Sequence, residues 1–384
     1  MKPSTPNSSR WHARALVTCF FLCLGVPLLD FFFHIDPTSL PSENRLLAPL
    51  PPRPDGVGGL KQFFTGWDAY FTDHFGGRKA LVMWHKKLKW SLYHEKKLHE
   101  DVLVGNDGWL FFSGAQMVEH ARGALQFSPP ELENWRKLLQ RRRDWLAARS
   151  IKYLFVVAPD KQSIYPEFLP AWLQPLVKDS HTKLDQLIRY LRAHSTVEIL
   201  DLRPELRAAK KLGPLYQMTD SHWNEVGAFV ACEAVVRALA AKQLPGLEPI
   251  SLESFYRSNQ VAPGGDLMRY LGVSLTESNA FSLTPKPELP ALEIFIPAGE
   301  HTQDRSYAKN PQGHGRAIIY HDSFGRYWVP FLGYQFSEVN FYWKRYFDPA
   351  EIERQKPVVV INEMVERGFD VADPIELSVR DALP

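Results

Sequence analysis

Ala317-Ile318-Ile319-Tyr320 runs without interruption into His321-Asp322-Ser323-Phe324, and the reading of this stretch decides the fold. Four apolar residues in a row, too few for a helix, fit a strand buried on both faces. Such strands belong to parallel sheets covered by helices, and ligands bind where the loops leave the carboxyl ends. A serine at a strand-to-helix turn, with Phe324–Leu332 free to start a helix or turn behind it, exposes its hydroxyl. Backbone N–H groups beside it can then face a developing oxyanion. The plainer reading is that Asp322 or Ser323 only caps the next element, a common role for both.

Outward from this point the pattern repeats. Tyr153–Ala158, Val197–Leu200, Val339–Tyr342 and Val358–Ile361 read as strands, and Glu131–Arg149, Leu184–Ala193, Glu205–Lys211 and Val226–Ala241 as helices. In the first of these helices Leu132, Trp135, Leu138, Leu139 and Leu146 point inward and the basic run Arg141–Arg143 outward. This alternation predicts an α/β domain over 61–384 with a mostly parallel central sheet and helices on both faces. Val102-Leu103-Val104 and Trp109-Leu110-Phe111-Phe112 flank Gly105-Asn106-Asp107-Gly108, which signals a hairpin. Residues 245–315, rich in Pro, Gly and Ser, read as an irregular surface excursion.

The amino end reads differently. Residues 1–14 carry Lys2, Arg10 and Arg14 with no acid, and Ala15–Phe33 is apolar except for Asp30. That length suits one bilayer crossing over 15–35, and the basic flank places the amino end in the cytoplasm. A cleaved signal peptide is the rival, but no small-x-small site follows the apolar run. Residues 36–60, with Pro37, Pro41, Pro49, Pro51, Pro52 and Pro54, read as an extended linker. Leu81, Trp84, Leu88 and Leu92 then recur at helical spacing, opposite Lys79, Lys86, Lys87 and Lys89. This is either a surface helix drawn to anionic lipid or polymer, or an ordinary solvated face.

With 45% hydrophobic and 13% aromatic residues among 384, the chain can build a large core. A net charge of +2 gives no global attraction to nucleic acid. Cys19 and Cys23 lie in the apolar span, leaving only Cys232, so neither a disulfide framework nor a cysteine metal site is possible. The 13 histidines show no metal-binding spacing, and nothing in the chain implies a cofactor.

Serine attacks only when a base takes its proton, and the base needs a carboxylate to hold its ring. Asp220-Ser221-His222-Trp223-Asn224 supplies both, since side chains two apart in an extended segment share a face. Asn224 is placed to cap the following helix, and Gly227 to let it pack closely. A capping aspartate and a satisfied histidine is the bland alternative. Lys161, at the end of another strand, is a candidate for binding an anionic sugar or polarising an oxygen, or else a loop salt bridge. Arg326 and Tyr327, just past Ser323, are candidates for shaping an acceptor site. Tyr320, Trp328, Tyr342 and Trp343 read as core or rim aromatics.

Asp220-x-His222-Trp223-Asn224-x-x-Gly227 resembles the Asp-x-His-Trp element of the AlgJ/AlgX-like branch of SGNH hydrolases, the polysaccharide O-acetyltransferases. His321-Asp322-Ser323-Phe324 resembles the superfamily's serine block, usually Gly-Asp-Ser. Glu43–Ala48, Asp73–Arg78, Asp107–Phe111, Gly265-Asp266-Leu267 and Glu363–Arg367 match in the same order. The resemblance implies an SGNH-type α/β/α sandwich and acetyl transfer to an exported polysaccharide. It makes Ser323 the nucleophile, His222 the general base and Asp220 its orienter, and a membrane-bound acyltransferase of the MBOAT type the donor partner. The catalytic domain would lie in the bacterial periplasm, anchored in the inner membrane by a single helix. Only about 17 residues follow Arg367, too few for a carbohydrate module, which is nearer the AlgJ type. His321 departs from the glycine of the pattern. An esterase using the same triad and a non-catalytic glycan-binding assembly protein are the competing functions.

Overall fold

The computed structural model describes residues 8–33, 47–54, 56–93, 101–114, 116–178, 181–242, 244–273, 276–297 and 305–383. The strands are β1 Val102–Val104, β2 Leu110–Phe112, β3 Lys152–Ala158, β4 Ile199–Asp201, β5 Phe255–Pro263, β6 Thr276–Pro285, β7 Glu293–Phe295, β8 Ser306–Lys309, β9 Arg316–His321, β10 Glu338–Trp343 and β11 Val359–Val365. The helices are α1 Ser8–Phe33, α2 Leu60–His74, α3 Arg78–Tyr93, α4 Met117–Ala121, α5 Pro129–Ala147, α6 Lys161–Ile164, α7 Lys183–His194, α8 Arg203–Ala209, α9 Glu225–Lys242, α10 Asp266–Leu271, α11 Val329–Leu332, α12 Pro349–Gln355 and α13 Pro374–Asp381. They fall into two compact units, one of Met1–Glu95 with Arg269–Val273, the other of Lys96–Met268 with Ser274–Pro384.

The larger unit is built on a seven-stranded sheet in the order β4-β3-β11-β9-β10-β8-β7. The first five are parallel, and β8 and β7 extend the edge antiparallel. The central strands are apolar on both faces because both faces are covered. Leu154, Val156, Ile319 and Ile361 pack into one core with Val226, Val230 and Leu239 of α9. Their neighbours Tyr153, Phe155, Ile318 and Val360 pack into another with Leu138 and Leu139 of α5 and Leu187 and Leu191 of α7. Alternate residues therefore serve opposite layers, as the two-residue period of a strand requires. The predicted α/β layering and mostly parallel sheet are present.

Two expectations need correction. Residues 245–315 are not irregular: β5 and β6 form a two-stranded antiparallel sheet, and β7 and β8 join the main one. Prolines and glycines sit at the strand ends and turns there and mask the strands between them. Arg142, read as outward, is buried, its guanidinium held by both Asp381 carboxylate oxygens at 2.7 and 2.8 Å and by Asn362 at 2.7 Å. Residues 8–33 are helical over most of the stretch expected to cross a bilayer, yet no helix formed by the described residues is long and apolar enough to do so. The side chains at 23, 24, 26–28 and 31 of that stretch lie outside those described, as does much of the expected linker at 34–46 and 55.

Candidate active site around Ser323

β9 ends at His321, so Asp322 and Ser323 emerge at the carboxyl edge of the parallel sheet, where open α/β sheets bind ligands. Asp322 fixes the turn. Its carboxylate accepts the Val365 N–H at 2.8 Å and the Phe324 N–H at 3.1 Å, and its own N–H donates to Glu363 Oε2 at 3.1 Å. Asp322 thus ties the serine turn to β11. Burial, reinforced by the Asp322 charge, pushes the Glu363 carboxyl well above its usual range. A side chain at Gly325 would bring a Cβ to 2.5 Å from His321 Cβ, which makes glycine necessary there.

His321 fills the place where the family pattern has glycine. Its Nδ1 lies 2.5 Å from the Asp322 carbonyl oxygen and so carries the proton, and its ring packs near Phe341 and Trp343. Burial draws its pKa down to about 4, which keeps the ring neutral.

The segment before α9 reaches the same point. His222 Nε2 lies 2.7 Å from Ser323 Oγ, and His222 Nδ1 lies 2.7 Å from Asp220 Oδ1. Asp220 Oδ1 also accepts the His222 N–H at 2.9 Å. A proton on Nδ1 directed at the carboxylate leaves the Nε2 lone pair for the serine hydroxyl. Burial works against a charged imidazole, but Asp220 and then Asp266 outweigh it and hold the His222 pKa raised. Burial likewise opposes the Asp220 charge, and His222 with the backbone N–H groups overcomes it, so that carboxylate stays ionised. Trp223 anchors the segment from below, buried against Phe324 and Trp328 at 5.0 and 5.9 Å. Asn224 caps α9, its Oδ1 accepting from Val226 and Gly227 N–H at 3.0 and 3.1 Å. A Cβ at Gly227 would lie 2.2 Å from the Leu215 carbonyl oxygen, so this residue does permit close packing.

Asp266 has a place in the site that the sequence pattern does not assign, although Gly265-Asp266-Leu267 is one of the matching blocks. The Asp266 N–H donates to Asp220 Oδ2 at 2.9 Å, and its carboxylate accepts the Ser221 N–H at 2.7 Å and the Ser221 hydroxyl at 2.5 Å. Its Oδ2 stands 3.7 Å from His222 Nδ1. Gly265 lets that backbone approach: a Cβ there would sit 2.3 Å from Asp220 Cβ. Asp220, His222 and Asp266 have ligand atoms close enough together to hold a metal ion, as do His120, Asp160 and Glu366. In the first group, however, Asp220 and His222 are already directed at each other and at Ser323.

Lys161 is a correction. It is buried, and its ammonium donates to the carbonyls of Leu110, Met218 and Asp220 at 2.7, 2.8 and 2.9 Å. Its three protons are spent holding the β2 edge and the Asp220 segment together, so it does not present a charge to a sugar. Burial brings its pKa down to about 7. Arg326 donates to the Pro297 carbonyl at 3.2 Å, and the Tyr327 ring stands 5.7 Å from that of His222. Of these three candidates, Tyr327 alone borders the imidazole.

A cleft of about 550 Å³ opens beside the turn, with His321 and Asp322 in its wall. Arg305, Lys344, Arg345 and Arg380 line it together with Tyr342, Trp343 and Tyr346 and with the acids Asp373 and Glu376, and Lys344 and Arg380 are paired with Asp348 and Glu376. Among the described residues, neither Arg305 nor Arg345 forms an ion pair with a carboxylate.

Residues 102–291 match the family model described as the SGNH hydrolase-like domain, acetyltransferase AlgX. A probable alginate O-acetylase AlgJ from Pseudomonas syringae pv. tomato is 29% identical over 58% of this chain and 53% of its own length. The chain thus spans about half the length of the curated relatives it matches. PatB1 from Bacillus cereus, solved with a sulfonyl adduct, superposes with a TM-score of 0.54 at 16% identity, covering 72% of this chain and 98% of that one. A DHHW family protein from Eubacterium siraeum also gives 0.54 at 16%, covering 74% and 96%. The resemblance to the AlgJ/AlgX-like proteins is borne out, and the structural likenesses support the α/β fold of the domain that the family model describes as SGNH hydrolase-like.

Proposed function

We propose that this chain is an O-acetyltransferase that moves acetyl groups onto hydroxyls of an exported, alginate-like polysaccharide. One observation carries the reading: an unbroken line from Ser323 Oγ through the His222 ring to Asp220, with 2.7 Å at each step, at the carboxyl edge of the sheet. As Ser323 Oγ attacks an acetyl carbonyl, its proton passes to His222 Nε2, and the imidazolium is stabilised by Asp220. The tetrahedral intermediate collapses when His222 returns that proton to the leaving group, which leaves acetyl on Ser323. A sugar hydroxyl then repeats the sequence in reverse, giving its proton to His222 as it takes the acetyl. The Ser323 N–H, which meets no protein acceptor among the described residues, is available as a backbone donor to the oxyanion in this reading.

The aromatic cleft beside Asp322 suits an anionic glycan chain through Arg305 and Arg345, since guanidinium groups pair with carboxylates and aromatic faces stack on sugar rings. A membrane-bound acyltransferase of the MBOAT type is the donor in this reading, as the family resemblance implies. The apolar segment 15–35 anchors the protein in the bacterial inner membrane in this reading, with the larger unit in the periplasm. The 26-residue length of α1 and its basic flank support that placement.

The test is to give the purified protein an activated acetyl ester with and without an oligosaccharide acceptor. Acetylated sugar forms with the native chain, and none with Ser323→Ala. Rapid hydrolysis that ignores the sugar would make the protein an esterase instead.

A further inference from the structure

Two helices of the smaller unit carry their apolar side chains on the outside. On α2, Leu60, Phe64, Trp67 and Phe71 are all exposed, and at 100° per residue they fall within roughly 60° of one another. On α3, Leu81, Trp84 and Leu88 are exposed and span a similar arc. Phe64 and Trp84 are 63% and 65% accessible, values that a large ring in a folded core does not show. A helix whose apolar stripe faces outward has its partner elsewhere.

Two further facts indicate which partner. α3 contains Arg78, Lys79, Lys86, Lys87 and Lys89 and no acid, the composition of a helix that lies in an anionic membrane surface. The turn joining the two helices is also tied to α1, because the Gly77 N–H donates to the Asp30 carboxylate. Asp30 stands at the far end of the apolar run, where a helix leaving a bilayer meets water. The turn is thereby held at the level of the lipid headgroups.

We infer that α2 and α3 lie flat in the membrane interface, with Phe64, Trp67, Phe71, Leu81, Trp84 and Leu88 inserted beside the headgroups. Their depth rests on the reading of α1 as an anchor. The occupant of the exposed face is an anionic lipid surface.

The test uses the full chain with Cys19 and Cys23 changed to Ser, reconstituted in vesicles of phosphatidylcholine and phosphatidylglycerol. An environment-sensitive fluorophore is placed on Trp67→Cys, Trp84→Cys or Ala69→Cys. Ala69 is exposed on the opposite side of α2 and serves as the control. Labels at 67 and 84 are shielded from aqueous iodide by about fivefold relative to 69, and are quenched more by shallow than by deep doxyl lipids. Equal iodide access at 67, 84 and 69 overturns the inference. So does shielding at 67 and 84 that appears only when a membrane protein partner is added. A label on native Cys19, in a chain with only Cys23 replaced, reports the anchor separately. Deep quenching there supports the anchor whatever the other labels do, and iodide access there removes the anchor without altering the comparison of 67 and 84 with 69.

Discussion

Replacing Gly265 with alanine should inactivate the site without touching any residue that reacts. The added Cβ would lie 2.3 Å from Asp220 Cβ, 2.5 Å from its Oδ2 and 2.7 Å from its Cα. Because the Asp220 backbone is among those atoms, no rotamer change relieves the crowding. Restoring ordinary carbon–carbon contact requires a displacement of about 1 Å. A shift of that size breaks the Asp266 N–H bond to Asp220 Oδ2 and misdirects the carboxylate that holds the His222 ring. Misplacement on this scale costs about 10²-fold in rate, or about 2.7 kcal/mol of transition-state stabilisation. The assay is hydrolysis of p-nitrophenyl acetate alongside acetyl transfer to oligosaccharide, with circular dichroism to show that the variant is folded. The loss should appear in kcat, with KM for the acceptor little changed. A folded Gly265→Ala protein within threefold of native activity would refute the claim that this contact sets the geometry of the triad.

The structure sets further outcomes. Since His222 must be neutral to accept a proton and its pKa is raised chiefly by Asp220 and then Asp266, activity falls as pH drops through a value above the ordinary imidazole range. Asp266→Asn removes one of those charges, so the acid limb of kcat/KM against pH moves to lower pH. Lys161→Met removes three hydrogen bonds to backbone carbonyls, of which that of Met218 keeps the Leu110 N–H, and costs about 3 kcal/mol, read as a fall in Tm of about 5 °C for a unit of this size. Arg345→Ala raises KM for a carboxylated acceptor about tenfold and leaves KM for a neutral one unchanged, measured with oligosaccharides of equal length. Gly325→Ala, which drives a Cβ into His321, lowers kcat by displacing the serine turn, and the acetyl-enzyme formed in a single turnover measures it.

What the sequence discloses and what it hides divide along physical lines. Ser323 is legible because the run before it is apolar on both faces, and Asp220 with His222 because they share one short extended stretch. Asp266 is not, since its role depends on a backbone approach across 46 positions, and only the bare Gly-Asp pair signals it. Charge misleads for a related reason. A sequence gives the sign of Lys161 and Arg142 but not which way the head group points, and both are buried, Lys161 with three hydrogen-bond partners and Arg142 with four hydrogen bonds. The strands of 255–309 escape because proline and glycine at their ends resemble loop chemistry, even though β5 pairs with β6 and β7 with β8, each its neighbour in the chain.

The position of β11 has a consequence for how the protein comes into being. The last strand to be synthesised lies between β3 and β9, in the middle of the seven, so the sheet has an open seam until residues 359–365 arrive. Val365 supplies an N–H to the loop that carries the serine, and until then that loop has no floor. A chain delivered amino end first, from a ribosome or through a translocation pore, therefore cannot assemble its reactive hydroxyl prematurely. Chemistry is withheld until residues 359–365 are in place, and a product cut short before residue 359 is inert however much of the site it contains.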